Sequence, residues 1–336
     1  VERRTFIQAA VVAVILLLGL DRAVGWMGRN AVPRVIVRHA HSSTAFTDAF
    51  LGNSIVRAGV SEAAWSRTAA IGKIPSRPVN LGLGWSTPAE HAVLWDELLK
   101  TGNHPKRIFY GFFDLQLQEY TNSVWWALGG NMAMGYFVDP ELSAKYHAPG
   151  SRLGHAFMQA ASHVPLFTER ITFWGKVEEL RRKLAAIGLK SAPSNPEAKD
   201  GATKDEFSAF MADSSDAFAR HCENVVRENA PFHPAIDDII ESATRIGCKV
   251  YFVEIPMTPE HRRLFYARPA WTAYKAWLRG RLEVRHAALI EAGDWVTDPT
   301  EFHDSLHLDA TGAARFTERL FRETARLDTG SVPSPP

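Results

Sequence analysis

The sequence predicts an α/β fold: a three-layer sandwich with a central, mainly parallel sheet of about five strands and a helical insertion. Three observations predict it. Apolar strand-like runs stop abruptly at Gly or Pro. Segments with apolar residues at helical spacing come after them. The two kinds alternate at both ends of the chain, as they do where helices cover both faces of a parallel sheet. Sheets of this kind bind ligands beyond the carboxyl ends of their strands.

The chain opens "VERRTFIQAAVVAVILLLGLDRAVGWMG". Arg3 and Arg4 precede an uncharged, mostly apolar run from Thr5 to Leu20, and Asp21 and Arg22 come after it. The run is a little short for a span, which needs about 17–25 residues, but Ala23 to Met27 extends it, with Trp26 at the interface. Two arginines before the run predict an N-terminus held inside and a domain exported. A signal-anchor, a cleaved secretory signal and a twin-arginine signal ("RRTFIQ") all fit, and all three export the rest of the chain. A buried helix of a soluble protein sits poorly with two arginines against the run.

Residues 1–27 are therefore read as anchor or signal, 28–44 as linker, 45–327 as the main domain, and 328–336 as a disordered tail. The first strand-like run ends at Gly52. "RPVNLGLGWSTPAEHAVLWDELLKTG" reads as strand, Gly-rich turn and helix, with Pro88 near the helix start and Gly102 as its stop. "KRIFYGFFDLQL" is an aromatic-rich strand. The stretch 121–230 breaks the alternation and reads as a mostly helical insertion. It opens with "VWWALGGNMAMGYF" and contains the polar, loop-like "SAPSNPEAKDGATKDE". Ile236, Ile239, Ile240, Ala243 and Ile246 then recur at helical spacing. "CKVYFVEIP" is a buried strand, "DWVTDP" a last strand-like piece, and "ATGAARFTERLFRETARL" an amphipathic C-terminal helix.

Composition excludes some classes. The 336 residues are 46% hydrophobic and 22% charged, ordinary globular usage. A net charge of +1, from 38 basic and 37 acidic residues, shows no basic stripe for nucleic acid. Two cysteines, Cys222 and Cys248, make no disulfide framework, although an exported domain could pair them.

The break at Gly52-Asn53-Ser54 places a serine where a strand's carboxyl end turns. A serine becomes a nucleophile when a base takes its proton and a third group orients that base. "EFHDSLHLDATG" offers Asp304 and His307, three apart and on one face if the segment is a helical turn. Asp304 would hold one imidazole nitrogen while the other faces Ser54. Ser54 alone also reads as an ordinary turn residue.

"FLGNSI", "NLGLGWST", "YGFFD" and "DSLHLDATGAARF" match in order the blocks of SGNH/GDSL-type hydrolases, and the chain resembles that superfamily over about Ala45–Asp114 and Lys249–Leu327. The resemblance implies an SGNH-hydrolase or flavodoxin-like sandwich. It implies Ser54 as nucleophile, His307 as base and Asp304 as its partner. The oxyanion donors would be the N–H groups of Ser54 and of Gly84, with Gly82 as the alternative glycine. Two positions depart from the pattern: Gly-Asn-Ser replaces Gly-Asp-Ser, and Gly111-Phe112-Phe113-Asp114 lacks the third block's Asn. With the N-terminal segment, the chain looks like the membrane-anchored envelope subset, which includes proteins of alginate O-acetylation and teichoic acid D-alanylation. That implies a serine esterase or O-acyltransferase acting outside the cytoplasm on an acylated glycan or small acyl ester, beside a membrane-bound O-acyltransferase and without a cofactor.

Two other classes remain open from the residues alone. His303 and His307, four apart, would suit a metal-dependent hydrolase if helical, with Asp304 or Asp309 as third ligand. The missing Asn would suit a non-catalytic anchored subunit. "GLGWST" lacks the Lys of a P-loop. His39, His41, His91 and His221 read as exposed or satisfied in the core, and Asp114 as a turn cap.

Overall fold

The computed structural model describes residues 2–43, 45–84, 86–118, 138–186 and 204–329. The aromatic stretch Val124–Phe137, the polar stretch as far as Thr203, and the tail beyond Thr329 lie outside them. The chain divides into two compact units, residues 1–35 with 121–201, and residues 36–120 with 202–336.

In the first unit, helix α1 (Glu2–Gly28) is long and apolar enough over Arg4–Gly28 to cross a membrane, and its most apolar 18 residues have a mean hydropathy of 2.0. Its apolar side chains from Phe6 to Leu20 are bare. Helices α6 (Pro140–His147), α7 (Arg152–Ser162), α8 (Pro165–Thr168) and α9 (Arg170–Ala186) belong to the same unit. Asp21 Oδ1 accepts the Leu166 N–H at 2.9 Å, and buried Glu169 pairs with Arg34. Helix α2 (Val32–Ala40) spans the division of the chain at residues 35 and 36.

The second unit holds the sheet: β1 (Asp48–Leu51), β2 (Pro78–Asn80), β3 (Arg107–Phe112), β4 (Lys249–Glu254) and β5 (Ala287–Ile290). All are parallel, in the order β2-β1-β3-β4-β5. The strands are nearly continuous apolar runs because both faces are covered. Alternate residues face opposite layers. On one face Phe50, Phe109 and Tyr251 stack, with centroids 4.8 and 5.3 Å apart, and Trp65 and Phe321 close over them. This layer contains α3 (Ser54–Gly59), α4 (Glu62–Ile71) and α14 (Ala310–Thr329). On the other face Tyr110 stacks on Phe252 at 5.2 Å. There α5 (Pro88–Lys100) packs on α11 (Pro234–Arg245), and Trp95 donates to Ser242 at 2.8 Å. Helices α10 (Lys204–Glu228), α12 (Pro259–Phe265) and α13 (Pro269–Glu283) also belong to this unit.

One element differs from the sequence reading. The last strand is Ala287–Ile290; "DWVTDP" is a loop ending at a short 3₁₀ turn (Pro299–Glu301). The true strand is four residues long and lies at the sheet edge, with Ala288 exposed, so it carries little apolar signal. The strand order reverses between β1 and β3, which opens a crevice at their carboxyl ends.

Candidate active site

The crevice is lined by the segments after β1, β2 and β3. Gly52 ends β1 at φ +151°, where a Cβ would meet Val56 Cγ2 at 2.3 Å and the Gly111 carbonyl oxygen at 2.8 Å. Only glycine fits. Asn53 caps α3, its Oδ1 accepting the Ile55 N–H at 3.0 Å. Its Nδ2 donates to Gln116 Oε1 at 3.0 Å, and Gln116 Nε2 donates to the Gly111 carbonyl at 3.0 Å. Asp114 Oδ1 accepts the Gln116 N–H at 2.9 Å, capping the turn after β3. Ser54 is thus the first residue of α3, on a turn held from β3.

His307 reaches Ser54 from the other end of the sequence. Its Nε2 lies 2.9 Å from Ser54 Oγ, and its Nδ1 lies 2.8 Å from Asp304 Oδ2. A carboxylate only accepts, so Nδ1 carries the proton and Nε2 is free to take the serine's. Partial burial pushes the Asp304 carboxyl up. The Leu306 N–H, the His307 ring and the His307 N–H outweigh it and hold Asp304 below the usual carboxylate range.

The Asp304–His307 segment is not the helical turn that the sequence suggested. Asp304 Oδ1 accepts the N–H groups of Leu306 and His307, both at 2.8 Å, in a side-chain-capped turn. The His303 N–H donates to the His307 carbonyl at 2.8 Å, and Phe302 and Leu308 form an antiparallel bridge. His303 and His307 therefore do not share a helical face, the arrangement on which the metal reading of this pair rests. Both ring nitrogens of His307 are engaged, and Asp309 Oδ1 accepts the Gly312 N–H at 2.8 Å at the start of α14. Among the described residues no three-ligand group includes these side chains.

The two glycines after β2 differ. The Gly82 N–H donates to Asn80 Oδ1 at 2.9 Å, and a Cβ there would meet the Arg57 nitrogen at 2.3 Å. A Cβ on Gly84 would lie 3.7 Å from Ser54 Cβ. Gly84 is the glycine beside the serine. Phe113 stands where the third-block Asn would be, and packs on the core. The sequence reading missed Gln116. Its signal was a buried amide placed amid apolar residues, two positions after Asp114.

Beside Gln116 lies a cavity of about 300 Å³ lined by Asp114, Leu115, Gln116, Gln118, Phe218 and His221. A second, of about 630 Å³, shares Gln118 and His221 with it. His39 and His41 pair with Glu62 and Glu97, and His91 is fully buried between Ser86 and Tyr110. Cys222 and Cys248 are buried free thiols, each pushed up to about 12 by burial.

No family model matches the chain. No curated protein matches it either. Solved structures do. A GDSL-like lipase from Bacteroides thetaiotaomicron matches at 11% identity and a TM-score of 0.36, over 88% of this chain and 97% of that one. A catalytic mutant of an acetylxylan esterase from Geobacillus stearothermophilus matches at 10% identity and 0.37, over 83% and 93%. The structure of TesA matches at 12% and 0.38, over 84% and 99%. These are likenesses of fold, and the functional reading rests on this chain's own geometry.

Proposed function

We propose that the chain is a serine-dependent acyl ester hydrolase of SGNH/GDSL type. One observation carries the reading: Ser54, His307 and Asp304 join in a chain of hydrogen bonds at 2.9 and 2.8 Å, beyond the carboxyl ends of the strands. Ser54 Oγ attacks the acyl carbonyl as its proton passes to His307 Nε2. The N–H groups of Ser54 and Gly84 receive the oxyanion. As the tetrahedral intermediate collapses, His307 returns the proton to the departing alcohol. Water, or a second alcohol, then releases the acyl group by the same steps reversed. Asp304 keeps the ring oriented and stabilises its charged form. No cofactor takes part in these steps.

The finer reading is O-acyl transfer or de-acylation on an acylated envelope glycan outside the cytoplasm, beside a membrane-bound O-acyltransferase. The apolar α1 and the arginines before it support an anchored, exported domain. The intact Ser–His–Asp contacts favour catalysis over a decayed site. Turnover of p-nitrophenyl acetate tests the reading. Ser54→Ala and His307→Ala should each lower kcat by roughly 10³–10⁶, and the double variant should lose little more, because the two act as one unit. Single losses that multiply in the double variant would contradict a shared proton-transfer unit.

A further inference from the structure

A second Ser–His pair lies behind the site. Ser86 Oγ is 2.7 Å from His91 Nε2 and 2.5 Å from the Leu83 carbonyl oxygen. His91 Nδ1 is 2.6 Å from the Tyr110 hydroxyl. The directions of these bonds are set by what each group can do. A carbonyl oxygen only accepts, so the Ser86 hydroxyl proton points to Leu83. Ser86 Oγ must then accept from His91, which places the ring proton on Nε2. The other ring nitrogen, Nδ1, is left to accept from the Tyr110 O–H. The donors all point one way: Tyr110 to His91, His91 to Ser86, Ser86 to Leu83. His91 therefore cannot act as a base toward Ser86, and this pair is not a second nucleophile.

Its terminus gives it a use. The Leu83 carbonyl belongs to the same peptide unit as the Gly84 N–H. That unit is planar and trans, so fixing the carbonyl fixes the N–H in the opposite direction. The Leu83 N–H donates to the Gly52 carbonyl at 2.9 Å, so both peptide planes at Leu83 are tied. The first tie runs to β3 through Tyr110, and the second to the turn that carries Ser54. The Gly84 N–H meets no backbone acceptor among the described residues. We infer that Tyr110, His91 and Ser86 are positioning residues that hold the Leu83–Gly84 peptide with its N–H oriented as an oxyanion donor. This rests on the hydrolase reading above. Burial, partly opposed by Glu90 and the Gly52 carbonyl and reinforced by His233, lowers His91 to about 4 and keeps it neutral, so the direction of the chain persists at neutral pH.

The test uses the full chain in detergent micelles. With ¹⁵N-histidine labelling, His91 should show the neutral Nε2–H tautomer throughout about pH 5–8. A neutral Nδ1–H tautomer, or titration in that range, would overturn the inference. With ¹⁵N-glycine labelling, Ser86→Ala should shift the Gly84 amide resonance; an unmoved resonance would count against it. Neither measurement needs turnover, so a protein inactive on esters would overturn the functional reading separately. In the active protein, Ser86→Ala should lower kcat by about 10- to 100-fold with KM nearly unchanged, short of the roughly 10²–10³ for complete loss of a donor. An alkylboronic acid, whose tetrahedral adduct places an anionic oxygen at the same point, should weaken by the same factor. Tyr110→Phe, which removes one hydroxyl, should give a smaller loss of the same kind. A folded Ser86→Ala protein with kcat and boronate affinity as in wild type would overturn the proposal, as would a loss confined to thermal stability.

Discussion

His307 and His91 are the same side chain set to opposite tasks by their neighbours. His307 is part-exposed and holds its proton on Nδ1, because a carboxylate lies there. His91 is fully buried and holds its proton on Nε2, because Ser86 must be given one. Burial lowers His91 from 6.5 to about 4. Its folded form thus binds a proton less readily than the unfolded chain does. Between those two values the unfolded state holds more protons, so stability falls as pH falls from 6.5 towards 4, by at most about 1.4 kcal/mol per pH unit. Urea unfolding of wild type should show this slope, and His91→Gln should flatten it. An equal slope in both would assign the acid sensitivity to other groups. At this scale the sequence pointed to Ser54, Asp304 and His307, which lie in hydrogen-bond contact, because each stood in a short motif. Ser86 and Tyr110 fall inside the second and third blocks at positions to which no role was given, and His91 stands in none: the three meet only because the turn after β2, α5 and β3 pack side by side.

Among the elements, the turn after β1 is the most constrained. Gly52 has no room for a Cβ and a φ that side chains resist. Gly52→Ala should destabilise the fold by on the order of 2–4 kcal/mol, from backbone strain and overpacking against Val56. Urea denaturation measures this. A loss no larger than that of Gly102→Ala, where positive φ meets open space, would show that the turn tolerates the clash. Helices and central strands were legible from periodicity, since their apolar faces are long. The edge strand β5 was not, because four residues, of which only Ala287 and Ile290 are buried, carry little pattern. The Asp304–His307 turn was misread as helical because three-residue spacing is shared by helices and by side-chain-capped turns.

For the whole molecule, the order β2-β1-β3-β4-β5 explains why Ser54, Gly84 and Gln116 converge: they come after three neighbouring strands. Sequence alternation showed a parallel sheet but not the order of its strands, which is set by packing between distant segments. Helix α1 adds a question of side. Arg3 and Arg4 before the apolar run should keep the N-terminus inside and the remainder outside. A reporter fused after Ala40 should be active only outside the cytoplasm; one active only within it would sink the exported reading.

The central claim is that Ser54 is a nucleophile activated by His307. Mass spectrometry of the full chain after treatment with a fluorophosphonate probe tests it most directly. One covalent adduct is expected, on the peptide carrying Ser54, lost in Ser54→Ala and strongly slowed in His307→Ala while both variants stay folded. Folded wild-type protein that takes up no probe, or takes it up equally well in Ser54→Ala, would contradict it.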